Sequence, residues 1–354
     1  MDCVDFDAME AQALQQMSVG AAAFCACGAD DEITMRENRA AWRDLRLRPH
    51  VLRDISQVDT TATLLGVPHQ MPVMVAPMGR HRLFHDAGER ATALGAAQAG
   101  AAFVLATNAT VSIETVAAQR AAASQWFQLY LSDDRAGVEA LIERAEAAGF
   151  GALVLTVDQP VSGSSPQAAR NPVAPSEDIR HVNLPGQPIA ATSYDPSMMS
   201  RKVTYQATWQ DLEWLVRRTT LPVIVKGVLR ADDAAACVAA GAKGVIVSNH
   251  GGRHLDTAVA SAKALAEIAD ALGGRAEVYV DGGIRRGTDV IKALALGADA
   301  VLVGRPLLWG LALDGAAGVA QVLDHLQDEL ARAMALCGVP RLADITPDLI
   351  ATAR

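Results

Sequence analysis

The sequence predicts an α/β fold: a (β/α)8 (TIM) barrel with an N-terminal helical cap and a long lid loop after its fourth strand. Three observations carry that prediction. Eight short apolar runs alternate with amphipathic stretches beyond residue 71. Several of those runs are apolar throughout, as parallel strands buried on both faces require. The stretches between them repeatedly end in glycine. Eight strand–helix repeats favour a closed barrel over an open doubly wound sheet, and no GxGxxG opens the first repeat.

Taken in order, residues 1–70 read as a helical cap followed by a short irregular segment. The strand-like runs are 73–76, 102–106, 126–130, 152–157, 222–226, 244–248, 277–280 and 300–303. Helical patterns lie between them, among them 89–99, 138–148, 209–217, 232–240, 260–272 and 288–296. Gly100, Gly149, Gly241, Gly273 and Gly297 follow five of them, at the position where a helix ends in the left-handed conformation. The connection 159–207 is rich in Pro, Ser and Gly and too long for an ordinary βα loop, so it reads as a lid over the barrel mouth. The whole chain, 1–354, is expected to form one domain, with 1–70 as cap and 71–354 as barrel.

Composition narrows the function classes. Of 354 residues, 51% are hydrophobic and the net charge is −9, with no basic run, so neither nucleic acid nor an anionic membrane surface is an expected partner. No window of about 18 consecutive apolar residues is available to span a bilayer. The N-terminus is acidic from its second residue, the wrong charge for a signal or transit peptide. Cys3, Cys25, Cys27, Cys237 and Cys337 form an odd set without zinc spacing, so free thiols in a reducing cytoplasm, and no metal, are expected.

In a barrel of this kind the chemistry sits at the C-terminal ends of the strands. Asp281-Gly282-Gly283-Ile284-Arg285 follows the seventh strand and Gly304-Arg305 follows the eighth. Glycines there let backbone amides approach phosphate oxygens, and arginines add charge-assisted donors. Lys226 ends an apolar strand and needs a negative partner, which either a reduced flavin or a barrel carboxylate would supply. His250 stands at a strand end before two glycines, suited to act as a general base, with Asp158 to stabilise the imidazolium. Arg253 offers a planar fork for a substrate carboxylate.

These segments carry a family resemblance. The block SNHGGRHLD (248–256), with VKGV (225–228), VDGGIRRGTDVIKALALGADAVLVGRP (280–306), WFQLYL (126–131), LTVDQP (155–160) and RPHVLRDISQVDTTATLLG (48–66), resembles the FMN-dependent 2-hydroxy-acid oxidases and dehydrogenases. That family includes glycolate oxidase, lactate oxidase, mandelate dehydrogenase and flavocytochrome b2. The resemblance implies FMN as cofactor and oxidation of a 2-hydroxy acid to the 2-oxo acid, with oxygen or another acceptor reoxidising the flavin. It implies that Pro77, Met78, Gly79, Gln128, Thr156, Lys226 and Ser248 line the isoalloxazine and ribityl chain. Asp281, Gly282, Gly283, Arg285, Gly304 and Arg305 would hold the ribityl chain and phosphate. His250 would take the substrate proton, from carbon or from the hydroxyl, with Asp158 behind it. Arg253 would bind the carboxylate and Tyr130 would hydrogen-bond the substrate. A homotetramer or octamer is also implied.

The departures bear on the substrate. Phe24 stands where the family has a tyrosine that donates to the substrate carboxylate, and Ser165 where it has an arginine. Each of the two replacements forgoes a hydrogen bond worth about 1–3 kcal/mol. Arg80, directly after Gly79, is expected to compensate in part. Small Ala106, Asn108 and Gly79 point to a substrate larger than glycolate. Gly79 leans towards an acceptor other than oxygen, and the lid lacks the basic or apolar insert of membrane-bound relatives. Two alternatives stay open: a specialised biosynthetic oxidase acting on an amino-acid-derived or carrier-bound substrate, and an FMN-dependent isomerase on the same barrel.

Overall fold

The structure is a computed structural model of the chain, described over residues 5–119, 124–173, 179–184 and 207–351. Most of the expected lid, 174–178 and 185–206, lies outside the described residues. Helices α1 (Phe6–Gln16), α2 (Val19–Ala26) and α3 (Ile33–Asp44) form the cap, followed by an antiparallel hairpin of β1 (Ala62–Leu64) and β2 (Val67–His69). The barrel strands are β3 (Val73–Met78), β4 (Phe103–Ala106), β5 (Gln125–Leu129), β6 (Leu153–Thr156), β7 (Val223–Val228), β8 (Gly244–Val247), β9 (Glu277–Val280) and β10 (Ala300–Val303). They close in chain order into one parallel barrel, with β10 pairing β3 in the register Val301–Val73, Leu302–Met74 and Val303–Val75.

Helices α4 (Gly88–Gln98), α5 (Ile113–Ala117) and α6 (Arg135–Ala147) follow the first three barrel strands. The short α7 (Pro166–Arg170) lies in the connection after β6, and α8 (Trp209–Arg218) completes that repeat. Then come α9 (Ala231–Ala239), α10 (Ser261–Leu272), α11 (Gly287–Ala295) and α12 (Arg305–Cys337).

Strand alternation explains the unbroken apolar runs. Met74, Val104, Trp126, Val154, Ile224, Ile246, Tyr279 and Leu302 point into the barrel and form one cluster. Val73, Val75, Phe103, Leu105, Leu153, Val223, Val245 and Val301 face outward against the helices. Both faces are therefore buried, and each fully buried side chain of this size contributes about 1.5–3 kcal/mol. Leu64 of the hairpin joins the inner cluster and Leu65 packs against it.

Helix α12 is the helix of the eighth repeat, for which the sequence pattern gave no range. It is the one described helix long and apolar enough to cross a membrane by length and composition. Its backbone breaks at Asp314 and Gly315, however, and 61% of its most apolar window is buried. The apolar faces pack against α1, α4 and α11.

The cap positions the site through α3. Asn38 and Asn249 exchange side-chain amide hydrogen bonds of 2.8 Å in both directions. The first turn of α3 has no cap from its own N-cap residue Glu32. Instead the Asp256 carboxylate accepts from the amides of Asp31, Ile33 and Thr34, satisfying the open donors of that helix end.

Candidate active site

A cavity of about 770 Å³ opens at the C-terminal ends of the strands. Its wall includes Pro77, Met78, Gly79, Arg80, Gln128, Tyr130, Lys226, His250, Arg253, Asp281, Gly282, Gly283, Arg285, Gly304 and Arg305, with Phe24 from the cap. The strand-end residues singled out in the sequence thus converge with one cap residue and Arg80. Thr156, Ser248 and Asp158 stand just behind this wall.

The turn after β8 places the base. His250 has φ 58, Gly251 64 and Gly252 72, so three successive residues are left-handed. A non-glycine residue in that region costs about 1–2 kcal/mol, so it persists only where its surroundings hold it there. Ser248 helps to do so: its hydroxyl accepts the His250 amide at 3.0 Å and the Lys226 ammonium at 2.8 Å. The His250 Nδ1 donates to Asp158 Oδ1 at 2.8 Å. A carboxylate only accepts, so Nδ1 carries the hydrogen, and in the neutral ring Nε2 is the atom with the lone pair. Gly227, at φ 106, permits this closeness, because a Cβ there would meet the Asp158 side chain at 2.5 Å.

Electrostatics reinforce that pairing. Burial opposes the charge on Asp158, but His250 and Lys226 outweigh it and hold its carboxyl well below the usual range. Burial also opposes the charge on Lys226, yet Asp281 and Asp158 keep its pKa above the ordinary lysine value. The Lys226–Asp281 ion pair measures 3.1 Å, so the barrel carboxylate is a partner of this lysine, which still lines the cavity. Burial, then Asp158, push the Tyr130 phenol up, which keeps it protonated as a donor.

Polar groups in the cavity wall or just behind it lack partners among the described residues. Gln128 Nε2, Thr156 Oγ1, Asp281 Oδ1 and Arg285 Nε are all buried and unsatisfied. Such groups are rare in folded proteins and call for a ligand, and all four belong to the residues that the resemblance assigns to FMN. Arg285 rests over the Trp309 ring at 5.0 Å and meets no carboxylate among the described residues. Burial, then Arg305, lower its pKa to about 9, so it stays cationic and needs an anion. Gly304 keeps the wall open, since a Cβ there would reach only Met78 Sδ at 3.4 Å and Ala76 Cβ at 4.0 Å. These groups fit a flavin mononucleotide: polar donors and acceptors along the strands and a cation at the end.

Two expectations are refined. Arg305 directs its guanidinium to the carbonyls of Cys25, Cys27 and Gly251, tying the cap to the His250 turn. Gly282 and Gly283 are required by packing, because side chains there would run into Ser261 and the Asn38 backbone.

The departures are also placed. Ser165 is buried as the N-cap of α7, accepting the Ala168 amide. Phe24 carries two guanidinium groups, Arg253 at 5.1 Å and Arg80 at 5.2 Å from its ring centroid. Arg253 Nη1 donates to the carbonyls of Phe24 and Cys27. Gly79 lies against Asn108, whose carbonyl would sit 2.9 Å from an added Cβ.

Sequence reasoning gave no role to His254, which lines the site, or to His181, which supports Arg80. His254 lines the cavity beside His250. His181 accepts from Arg80 Nε at 3.2 Å. The only signal was a second histidine four residues after the first within SNHGGRHLD.

Known proteins of one family match this chain over most of its length. The family model for FMN-dependent dehydrogenases matches residues 13–352. An L-lactate oxidase of Nostoc sp. is 50% identical over 329 residues, covering 90% of each chain. Glycolate oxidase 1 of Zea mays is 45% identical, with 99% of this chain and 95% of that one covered. A solved mandelate oxidase with (S)-4-hydroxymandelic acid superposes with a TM-score of 0.92 at 38% identity, covering 99% of each chain. The cavity with its partnerless polar groups, and these matches over nearly the whole length, lead to one conclusion: the chain belongs to the FMN-dependent dehydrogenase family and takes FMN as its cofactor.

Proposed function

We propose that this chain oxidises a 2-hydroxy acid larger than glycolate to the 2-oxo acid, with His250 as the base and oxygen as the final electron acceptor. One observation carries the reading: His250 lines the cavity with Nε2 free to accept a proton, while Asp158 holds Nδ1 at 2.8 Å. FMN, when bound, supplies the two-electron acceptor. The chain's own residues do the rest. His250 takes a proton from the substrate, and Asp158 stabilises the imidazolium that results. Arg253 binds the carboxylate and Tyr130 donates to the substrate oxygen. Arg285 and the Asp281–Gly283 segment hold the cofactor's phosphate and ribityl chain, while Lys226 places a positive charge beside the flavin.

Small Ala106 and Asn108 in the wall support the larger substrate, as do solved relatives carrying mandelate-type ligands. The names of the curated relatives, lactate, glycolate and 2-hydroxyacid oxidases, support oxygen over the acceptor that Gly79 alone favours. The buried free thiols of Cys25, Cys27, Cys237 and Cys337 support a reducing, cytoplasmic setting.

The test is a panel of 2-hydroxy acids mixed anaerobically with the holoenzyme. Bleaching of the flavin band, followed by peroxide on admitting oxygen, is the expected result. No bleaching by any member would overturn the reading in favour of the isomerase alternative.

A further inference from the structure

Arg80 and Arg253 place two guanidinium groups on the same Phe24 ring, at 5.2 and 5.1 Å from its centroid. Neither forms an ion pair with a carboxylate among the described residues. Arg80 is held there by its surroundings. Its φ is 65, unusual for a side chain of this size, and its amide donates to the Asn108 carbonyl at 3.2 Å. Its Nε donates to His181 Nε2, and His181 is buried. Asn183, two residues on, accepts the Ile113 amide and donates to the Val111 carbonyl, so this piece of loop is fastened to the start of α5. Burial, then Arg253, lower the Arg80 pKa to about 10, which leaves it charged at neutral pH and records the repulsion between the two cations.

We infer that Arg80 is the second cationic arm of the substrate clamp, sharing the Phe24 ring and the cavity wall with Arg253, and that the pair selects substrates with a free carboxylate. The inference rests on the hydroxy-acid reading above. Two like charges in a partly dehydrated pocket are unfavourable until an anion enters between them. A carboxylate brings one full charge and two acceptor oxygens. An amide, ester or carrier thioester brings none of that charge and leaves both cations uncompensated. Arg80 thereby replaces the charge absent at Ser165, and the Phe24 ring serves as a platform for both cations where a tyrosine would donate. The carrier-bound substrate considered from the sequence is disfavoured by the same argument.

The test uses oxidised holoenzyme, titrated with phenylglyoxylate and separately with its neutral amide, each followed by perturbation of the flavin spectrum. Arg80→Met is expected to weaken phenylglyoxylate binding by about 10- to 100-fold, the range for a lost hydrogen bond to a charged group. It leaves binding of the amide unchanged. Arg80→Lys retains charge without the planar fork and falls between. Flavin content and thermal midpoint, measured alongside, identify a folding defect, and Arg80→Gln then serves as the second neutral variant. Equal losses for acid and amide, or no loss for either, would overturn the proposal. Because these titrations need no turnover, their failure is distinct from a failure of the wild-type protein to bleach with 2-hydroxy acids.

Discussion

His254 stands edge-on to His250, with ring centroids 4.2 Å apart and planes inclined at 68°. Its Nδ1 accepts the Gly163 amide at 3.2 Å, which ties the loop after β6 to the loop after β8 and leaves the ring hydrogen on Nε2. Burial, then the neighbouring His250, push the His254 pKa down to about 2. The ring that buttresses the base is therefore neutral wherever the base itself works. A charged ring in that place would repel the imidazolium that forms on His250.

The depressed value of His254 sets a pH dependence of stability. Its folded pKa, about 2, lies below the unfolded value near 6.5. Between those values the unfolded chain binds more protons than the folded one, so stability falls as pH drops below about 6.5. The slope from this group approaches 1.4 kcal/mol per pH unit in that window. His181, lowered to about 4 by burial and Arg80, acts in the same direction over a narrower range. His254→Gln, which keeps an acceptor for Gly163, is expected to flatten the loss. Denaturant unfolding at pH 7 and pH 5 for both proteins checks this, and equal losses would refute it.

Asp158→Ala removes the group that orients and charge-stabilises the base. General acid–base assistance of this kind is worth roughly 10²–10⁴-fold. The drop is expected in kcat, with KM little changed, because Asp158 stands behind His250 and off the cavity wall. Anaerobic stopped-flow reduction of the flavin measures it directly. An effect confined to KM would show that Asp158 serves substrate binding instead.

The strands were readable because burial on both faces leaves an unmistakable apolar run. The runs 277–280 and 300–303 coincide with Glu277–Val280 and Ala300–Val303. The first barrel strand continues two residues beyond its run, through Pro77 to Met78, where the proline hid the extension. The extent of helix α12 was not readable, since Asp314 and Gly315 interrupt its pattern. Within the site, His250, Asp158 and Arg253 were readable from position at strand ends. The division of labour between Arg285 and Arg305 was not, because both follow a strand and a glycine. Only the three-dimensional path of the cap brings the Cys25 and Cys27 carbonyls to Arg305. His181 lies 101 residues from Arg80, beyond any local pattern.

Lys226 and Asp281 form a pair whose side chains are 4% and 10% exposed. Removing one member of a buried pair leaves the other charge uncompensated, at about 3–5 kcal/mol. Asp281→Ala is therefore expected to destabilise the apoprotein by that order, with Ser248 and Asp158 offering Lys226 partial relief. Denaturant unfolding of flavin-free protein reads this apart from any cofactor effect. A loss under about 1 kcal/mol would mean that the pair is far better solvated than its burial indicates.

Arg285 should decide whether the protein tells FMN from riboflavin, which differ by the phosphate alone. Its guanidinium is buried over Trp309, its Nε lacks a partner among the described residues, and its charge calls for an anion. Arg305, bound to three backbone carbonyls, is less free to take that role. Arg285→Met is expected to weaken FMN binding by about 1.5–3 kcal/mol, the range for a hydrogen bond to a charged group. Riboflavin binding, which never used that charge, should stay the same or improve as the desolvation cost of the arginine disappears. Titrating apoprotein with each flavin and following fluorescence quenching gives both constants. The preference for FMN should shrink by a factor of about 10–100. If FMN and riboflavin lose affinity equally, Arg285 shapes the pocket without meeting the phosphate, and that contact passes to the backbone amides after β9 and β10.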